Sequence, residues 1–275
     1  VREHACEFGM DGGCSLRIIF IGDIVGQQGV MYTKEILKEL IPSLKPDLII
    51  ANGENASNGK GLKAQAAEEL YEAGVEIITL GNHTFDQKET LHFISDDLRI
   101  VRPANYPPGT PGNGFTVCRV NREASCLIIN LMGRTFLSQL DCPFRTVDEI
   151  LERNPTIRFI VVDMHAEVTS EKLAMGWYLD GRVSVVVGTH THVPTADARI
   201  LPQGTAYMTD VGMVGPRDGI LGMQRDIVIK KLRTQLPVRF EVADGPRQFC
   251  GTVIDLDDNT GRATSIEPIF RAEQS

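Results

Sequence analysis

Short apolar runs that stop on a glycine and a polar, ligand-capable side chain recur along this chain. They restrict its fold more than any other feature. LRIIFIGD ends on Asp23, DLIIANGEN on Glu54 and Asn55, and EIITLGNH on Asn82 and His83. RFIVVDMH ends on His165, and VSVVVGTHTH on His190 and His192. Each run is short and rich in Val and Ile, the signature of a strand buried on both faces. Between the first three lie YTKEILKELIPSL and GLKAQAAEELYEAG, whose apolar residues fall at helical spacing. QKETLHFISDD reads as a third helix, TVDEILERN as a short one, and TSEKLAMGWYLDG as another. Strand alternating with helix implies mostly parallel sheet covered by helices.

The later chain departs from that rhythm. PANYPPGTPGNGFTV is a long loop, followed by strands at TVCRV and SCLIINLMG. Beyond the paired histidines AYMTD, DIVIKKL, PVRFEVA, FCGTVIDLD and TSIEPIF read as short β-rich segments. The architecture expected is therefore a two-sheet α/β sandwich, not an open doubly wound sheet. Residues 1–15 are polar, hold three glycines and lack periodicity, so they read as a disordered extension. Residues 16–275 read as one domain.

Carboxyl ends of parallel strands are where sites assemble, so the five endings are expected to meet in one cleft. Asp23 and Glu54 offer carboxylate oxygen, Asn55 and Asn82 amide oxygen, and His165, His190 and His192 imidazole nitrogen. Such a mixed set suits Mn, Fe, Zn or Co and not a calcium cage. Seven ligands exceed one tetrahedral zinc and suit two ions. Two ions roughly 3.5–4 Å apart can share a hydroxide and clamp a phosphoryl oxygen. On a regular strand His190 and His192 would share a face; at a strand end opening into a loop they can reach different ions.

Charge narrows the partners. Lys and Arg number 28 against 36 Asp and Glu, a formal net charge of −8, and no basic run forms a tail. A stable nucleic-acid complex or an anionic-membrane surface is not expected. No stretch is apolar enough to span a bilayer, and the N-terminus lacks a secretory core. The six cysteines form no C-x-x-C pair and read as free thiols of a cytoplasmic protein.

Taken in order, GD, GEN, GNH, DMH and GTHTH resemble the motifs of calcineurin-like metallophosphoesterases. With TDVGMVGPRDGILGM at 209–223 they resemble the YmdB-type branch, bacterial 2′,3′-cyclic-nucleotide 2′-phosphodiesterases. The resemblance runs from Leu16 to about Phe270. It departs from the wider superfamily at Asp23-Ile24-Val25, where D-x-H is usual, and at Glu54, where aspartate is usual. It implies a four-layer α/β/β/α sandwich and two transition-metal ions, Fe or Mn ahead of Zn or Co. By that resemblance Asp23, Glu54, Asn55 and His192 hold one ion. Glu54, Asn82, His165 and His190 hold the other, with Glu54 bridging. His83 faces substrate as general acid. The activity implied is metal-dependent hydrolysis of cyclic nucleotides by a hydroxide the metals activate, with 2′,3′-cyclic nucleotides first and 3′,5′-cyclic AMP as a further candidate. The substrate is a small anionic phosphoester, and a homo-oligomer is compatible with the chain. A phosphatase acting on a monoester or RNA end, or a regulatory metal-binding protein with weak turnover, is the alternative. Two segments are candidates for the substrate's base: Arg134-Thr135-Phe136, and the glycine-rich stretch from Gly212 to Gly222.

Overall fold

The computed structural model of the chain describes residues 15–120 and 124–274. The extension read at 1–15 lies outside the described residues except for Ser15, which already pairs with Asp257. Chain order begins β1 (Ser15–Ile21), β2 (Asp23–Ile24), α1 (Gly26–Leu44), β3 (Leu48–Asn52), α2 (Ala64–Glu72), β4 (Ile77–Thr79), α3 (Thr90–Phe93) and β5 (Ile100–Val101). It continues with β6 (Phe115–Arg119), β7 (Ser125–Met132), α4 (Pro143–Arg153), β8 (Phe159–His165), α5 (Thr169–Leu179) and β9 (Val185–Thr189). Last come β10 (Arg199–Ile200), β11 (Ala206–Met208), β12 (Met213–Pro216), α6 (Arg225–Thr234), β13 (Arg247–Asp257) and β14 (Ala263–Ala272).

These build two mixed sheets. One runs β2-β12-β13-β1-β3-β4-β5, with β14 added on β13; the other runs β10-β11-β9-β8-β7-β6. Period-two alternation explains why the sheets stack. Ile18 and Phe20 of β1, Leu48 and Ile50 of β3, Ile128 of β7, Val161 of β8 and Val187 of β9 share the core between the sheets. Their sequence neighbours Ile19, Ile21 and Ile49 turn the other way, onto Leu37 and Leu40 of α1 and Leu70 of α2. Ile129, Val162 and Val186 likewise turn onto Val147 and Ile150 of α4 and Met175 of α5. The result is the expected α/β/β/α sandwich with helices outside both sheets.

The same alternation sets a polar band beneath the cleft. One step beyond the inner apolar residues, the inner face receives Asn52, Thr79, Asn130, Asp163 and Thr189, all fully buried. Asp163 Oδ2 accepts from Thr79 Oγ1 (2.5 Å) and Asn52 Nδ2 (3.2 Å), and its Oδ1 from Thr189 Oγ1 (2.7 Å). Asn130 Nδ2 donates to the carbonyls of Leu80 and Val101. This network, in which only Asn130 Oδ1 lacks a partner, fixes how the strand ends sit together.

Three local readings change. DIVIKKL, read as β-rich, lies in α6; β-branched residues favour a strand only beside a neighbouring strand, and this segment buries none of its residues. PVRFEVA forms no strand and keeps one bridge, between Met223 and Val242. The helix at QKETLHFISDD shrinks to the four residues of α3. Among the described residues no helix is long and apolar enough to cross a membrane.

Candidate metal centre

The strand read through VSVVVGTHTH stops at Thr189. His190 (φ 97°) and His192 (φ 64°) both take left-handed backbone, which ends strand geometry and sends the two rings in separate directions. The turn is held from behind. Asp210 Oδ2 accepts from Thr191 N (3.1 Å), Thr191 Oγ1 (2.7 Å) and buried Lys172 Nζ (2.6 Å). Gly188 is required before the turn because a Cβ there would overlap the Thr209 carbonyl.

Glu54, His165 and His190 come together, each offering one ligand atom, with all three atoms within 4.8 Å of one another. His165 Nε2 lies 3.1 Å from Glu54 Oε1, 2.9 Å from Asn82 Oδ1 and 3.1 Å from His190 Nδ1. Partners determine the tautomers. The Thr189 hydroxyl gives its proton to Asp163, so it accepts one from His165 Nδ1 at 2.9 Å. His190 Nε2 donates to Glu167 Oε2 at 2.9 Å. In the neutral rings this leaves His165 Nε2 and His190 Nδ1 as the lone-pair atoms, facing each other and two oxygens.

His192 follows the same logic. The Leu221 carbonyl accepts from its Nδ1 (3.1 Å), leaving Nε2 toward Asn55 Oδ1 (3.3 Å) and Asp23 Oδ1 (3.8 Å). Asn55 Nδ2 donates to Gly59 O, which orients its amide oxygen inward. Asp23 Oδ2 accepts from His190 N, while Asp23 Oδ1 is buried with no hydrogen-bond partner. His83 stands beside the cluster. Its backbone N donates to Glu54 Oε2 (2.8 Å), and its Nδ1 meets Asp86 Oδ2 at 2.8 Å.

Electrostatics agree with a site built for a cation. Burial pushes the Asp23 carboxyl well up, and the charges of Asp210 and Glu54 add to it. Burial also acts to raise Glu54, but His165 and His83 outweigh it and the carboxyl falls to about 2. Burial opposes the charge on His165, yet Glu54 lifts it to about 9. Burial and then the His165 charge drop His190 to about 3, and burial lowers His192. A cation among these acceptors would relieve Asp23 and replace the proton on His165. Gly81 packs directly against the cluster: a Cβ there would overlap His165 Nε2 and Glu54 Oε2, so only a glycine lets the backbone approach this closely. The orphaned Asp23 oxygen and the mixed nitrogen and oxygen donor set both fit a bound transition metal.

All eight residues singled out in the sequence therefore line one cleft. Glu54, His165 and His190 form one three-residue cluster with Asn82 against it; Asp23, Asn55 and His192 stand around a neighbouring point. Asp163, Thr189, Glu167, Lys172 and Asp210 escaped the sequence reading. Asp163, two residues before His165, and Thr189, just before His190, fall at inward-facing positions, a signal that period-two counting could have used. The other three are visible only through their partners.

The family profile described as YmdB-like protein matches residues 19–269. The chain belongs to this family. YmdB-like relatives span nearly all of it. A Bacillus subtilis (strain 168) 2′,3′-cyclic-nucleotide 2′-phosphodiesterase is 54% identical over 256 residues, 93% of this chain and 97% of the relative. A hypothetical protein from Thermus thermophilus has a crystal structure with TM-score 0.90 and 42% identity, covering 94% of this chain and 100% of that one. A novel phosphatase from Mycoplasma pneumoniae gives TM-score 0.90 and 37% identity, with 94% of each chain covered. The YmdB-like chain is thus a calcineurin-like metallophosphoesterase.

Proposed function

We propose that the protein is a metal-dependent phosphodiesterase that opens 2′,3′-cyclic nucleotides, with 3′,5′-cyclic AMP as a poorer substrate. The observation that carries this is the convergence of one ligand atom each from Glu54, His165 and His190 within 4.8 Å of one another. The Bacillus subtilis relative at 54% identity supports the choice of reaction.

Two ions, Fe or Mn, are proposed. Glu54, Asn82, His165 and His190 would hold one, and Asp23, Asn55 and His192 the other, with Glu54 shared. When bound, such ions lower the pKa of water and neutralise charge on phosphoryl oxygens. The chain supplies the rest. Asp163 and Thr189 fix His165, Glu167 fixes His190, and the Leu221 carbonyl fixes His192, so the ligand atoms are set before substrate arrives. Water oxygen joins phosphorus, one ribose oxygen leaves, and that oxygen needs a proton. Asp86 holds His83 Nδ1, which leaves Nε2 as the ring atom to meet the leaving oxygen as general acid.

Residues 16–275 are proposed to act as one domain in the cytoplasm, with Ser15 joined to it at the start of β1. The exposed Ile229 and Leu232 of α6 and the nearby Leu236 favour a homo-oligomer. One experiment tests the function: metal content of anaerobically purified protein, measured with turnover of 2′,3′-cyclic AMP, 3′,5′-cyclic AMP and a phosphomonoester. Two ions per chain and preference for the 2′,3′-cyclic ester are expected. Faster monoester turnover would assign a phosphatase, the reading the Mycoplasma pneumoniae relative favours. Saturation at one ion would remove the dinuclear assignment.

A further inference from the structure

Phe136 is an aromatic ring that the core does not use. It is 86% exposed, more than any other large apolar side chain among the described residues. Its φ of 62° is left-handed, a conformation disfavoured for any residue with a Cβ. Strain of this kind persists only where surrounding contacts impose it. Here a set of hydrogen bonds does so. Glu171 in the first turn of α5 accepts from Arg134 N (3.0 Å) and Thr135 N (3.2 Å). Asn105 ties both ends of the loop, donating from Nδ2 to Met132 O (2.8 Å) and Asp141 O (3.0 Å) and accepting from Met132 N (2.9 Å).

The loop stands at the cleft. Met132 lies opposite His165 in the β7–β8 register, and Gly133 N donates to His165 O at 2.9 Å. Asn105 also links the loop to the His83 side. The next residue, Tyr106, packs edge-on against Phe85 with centroids 5.5 Å apart, two residues beyond His83. The group that leaves phosphorus must lie on the side of the acid that protonates it. Around Phe136, Arg134, Thr135, Ser138 and Gln139 are exposed and polar, with Leu137 and Leu140 half-buried beside them. One ring among polar neighbours is too small for a subunit interface but matches one flat heterocycle.

We propose that Phe136 is the stacking platform for the base of the substrate, which makes that substrate a nucleotide and not a simple phosphoester. The proposal rests on the phosphodiesterase reading above. Base–aromatic stacking lost on truncation to alanine is worth about tenfold or more in affinity.

The test compares the metal-loaded full chain on 2′,3′-cyclic AMP and on ribose 2′,3′-cyclic phosphate, which keeps the reacting atoms and lacks the base. In Phe136→Ala the ratio of kcat/KM between the two should fall about tenfold or more, chiefly through KM, and Phe136→Tyr should restore it. Phe136→Gly relieves the left-handed strain, so it should lose the ratio while its Tm stays at or above wild type. A wild-type ratio in the alanine and glycine variants overturns the proposal and moves base recognition to the cavity of about 370 Å³ lined by His192, Met213, Ile220 and Leu221. A change in subunit number on light scattering also overturns it, because the ring is then a contact between copies. A wild-type enzyme that opens both esters equally well sinks the platform and keeps the phosphodiesterase reading. One that opens neither removes that reading, and the platform with it.

Discussion

At Gly81 a hydrogen in place of a methyl lets the backbone sit directly against the cluster. A Cβ would press on His165 Nε2 and Glu54 Oε2, while the backbone φ there is not left-handed, so alanine can be accommodated by the chain but not by the site. Gly81→Ala should keep the circular dichroism of the wild type and lose bound metal, because the methyl displaces His165 and Glu54; full metal occupancy would show that these two side chains do not hold the ion. His83 is tested differently. Its ring is about one-quarter exposed and meets Asp86, with no ligand atom in the cluster. His83→Ala should retain its metals and lose turnover by about 10²–10⁴. The loss should shrink for a p-nitrophenyl ester, whose leaving oxygen needs less protonation. An unchanged ratio between the two substrates would leave His83 at most an electrostatic contact.

At the level of elements, one buried ion pair joins α5 to the segment after β11, which in turn holds the turn after β9. Lys172 and Asp210 side chains are each 1% exposed and 2.6 Å apart, and Asp210 in turn holds Thr191 between the two histidines. Lys172→Met strands a buried carboxylate and should cost about 3–5 kcal/mol in urea unfolding. The same variant should release metal more readily, since the turn that aims His190 and His192 loses its anchor; retention of wild-type affinity would separate the anchor from the site. The β1–β13 pairing offers a pH test. Arg17 and Asp255 face each other in register and bond through Nε–Oδ1 (2.7 Å) and Nη2–Oδ2 (3.1 Å). The Arg17 hydrogen bond holds the Asp255 carboxyl below its usual range. A folded pKa lower than the unfolded one stabilises above the unfolded value, near 4, and that gain vanishes as pH falls through the folded value. Asp255→Asn should therefore be less stable than wild type by no more than about 1 kcal/mol at pH 7, because the pair is partly exposed. The gap should narrow steadily as pH falls below the unfolded value of about 4; a gap that does not change with pH would mean that packing, not charge, supplies it.

For the whole molecule, the core between the sheets draws residues from β1, β3, β4 and β13 on one side and β7, β8, β9 and β11 on the other. Neither sheet has a complete core alone, so calorimetry should show one cooperative transition. The cleft closes over the same strands, which couples metal to that transition. Manganese at a hundred times its Kd should add about 2.7 kcal/mol, raising Tm by roughly 5–10 °C in a chain of this size. A Tm unmoved by chelation would argue against a resident ion.

Much of this could be read locally. Apolar runs of alternating facing, each closing on a polar group and four of the five through a glycine, are properties of five or ten adjacent residues, and they placed Asp23, Glu54, Asn82, His165 and His190 at strand ends. The C-terminal third was harder because β-branched content signals a strand only when a neighbouring strand is there to pair with, and α6 has none. Sequence by itself determined the strand–helix order and the kinds of atom gathered at the cleft. Tertiary structure alone decided which of them meet. Asp163 becomes a tautomer lock through Thr189, 26 positions away, and Lys172 an anchor through Asp210, 38 positions away. Glu167 becomes a proton acceptor for His190 in the same way. The physical reason is that a hydrogen bond acts over about 3 Å of space, whatever length of chain lies between its partners.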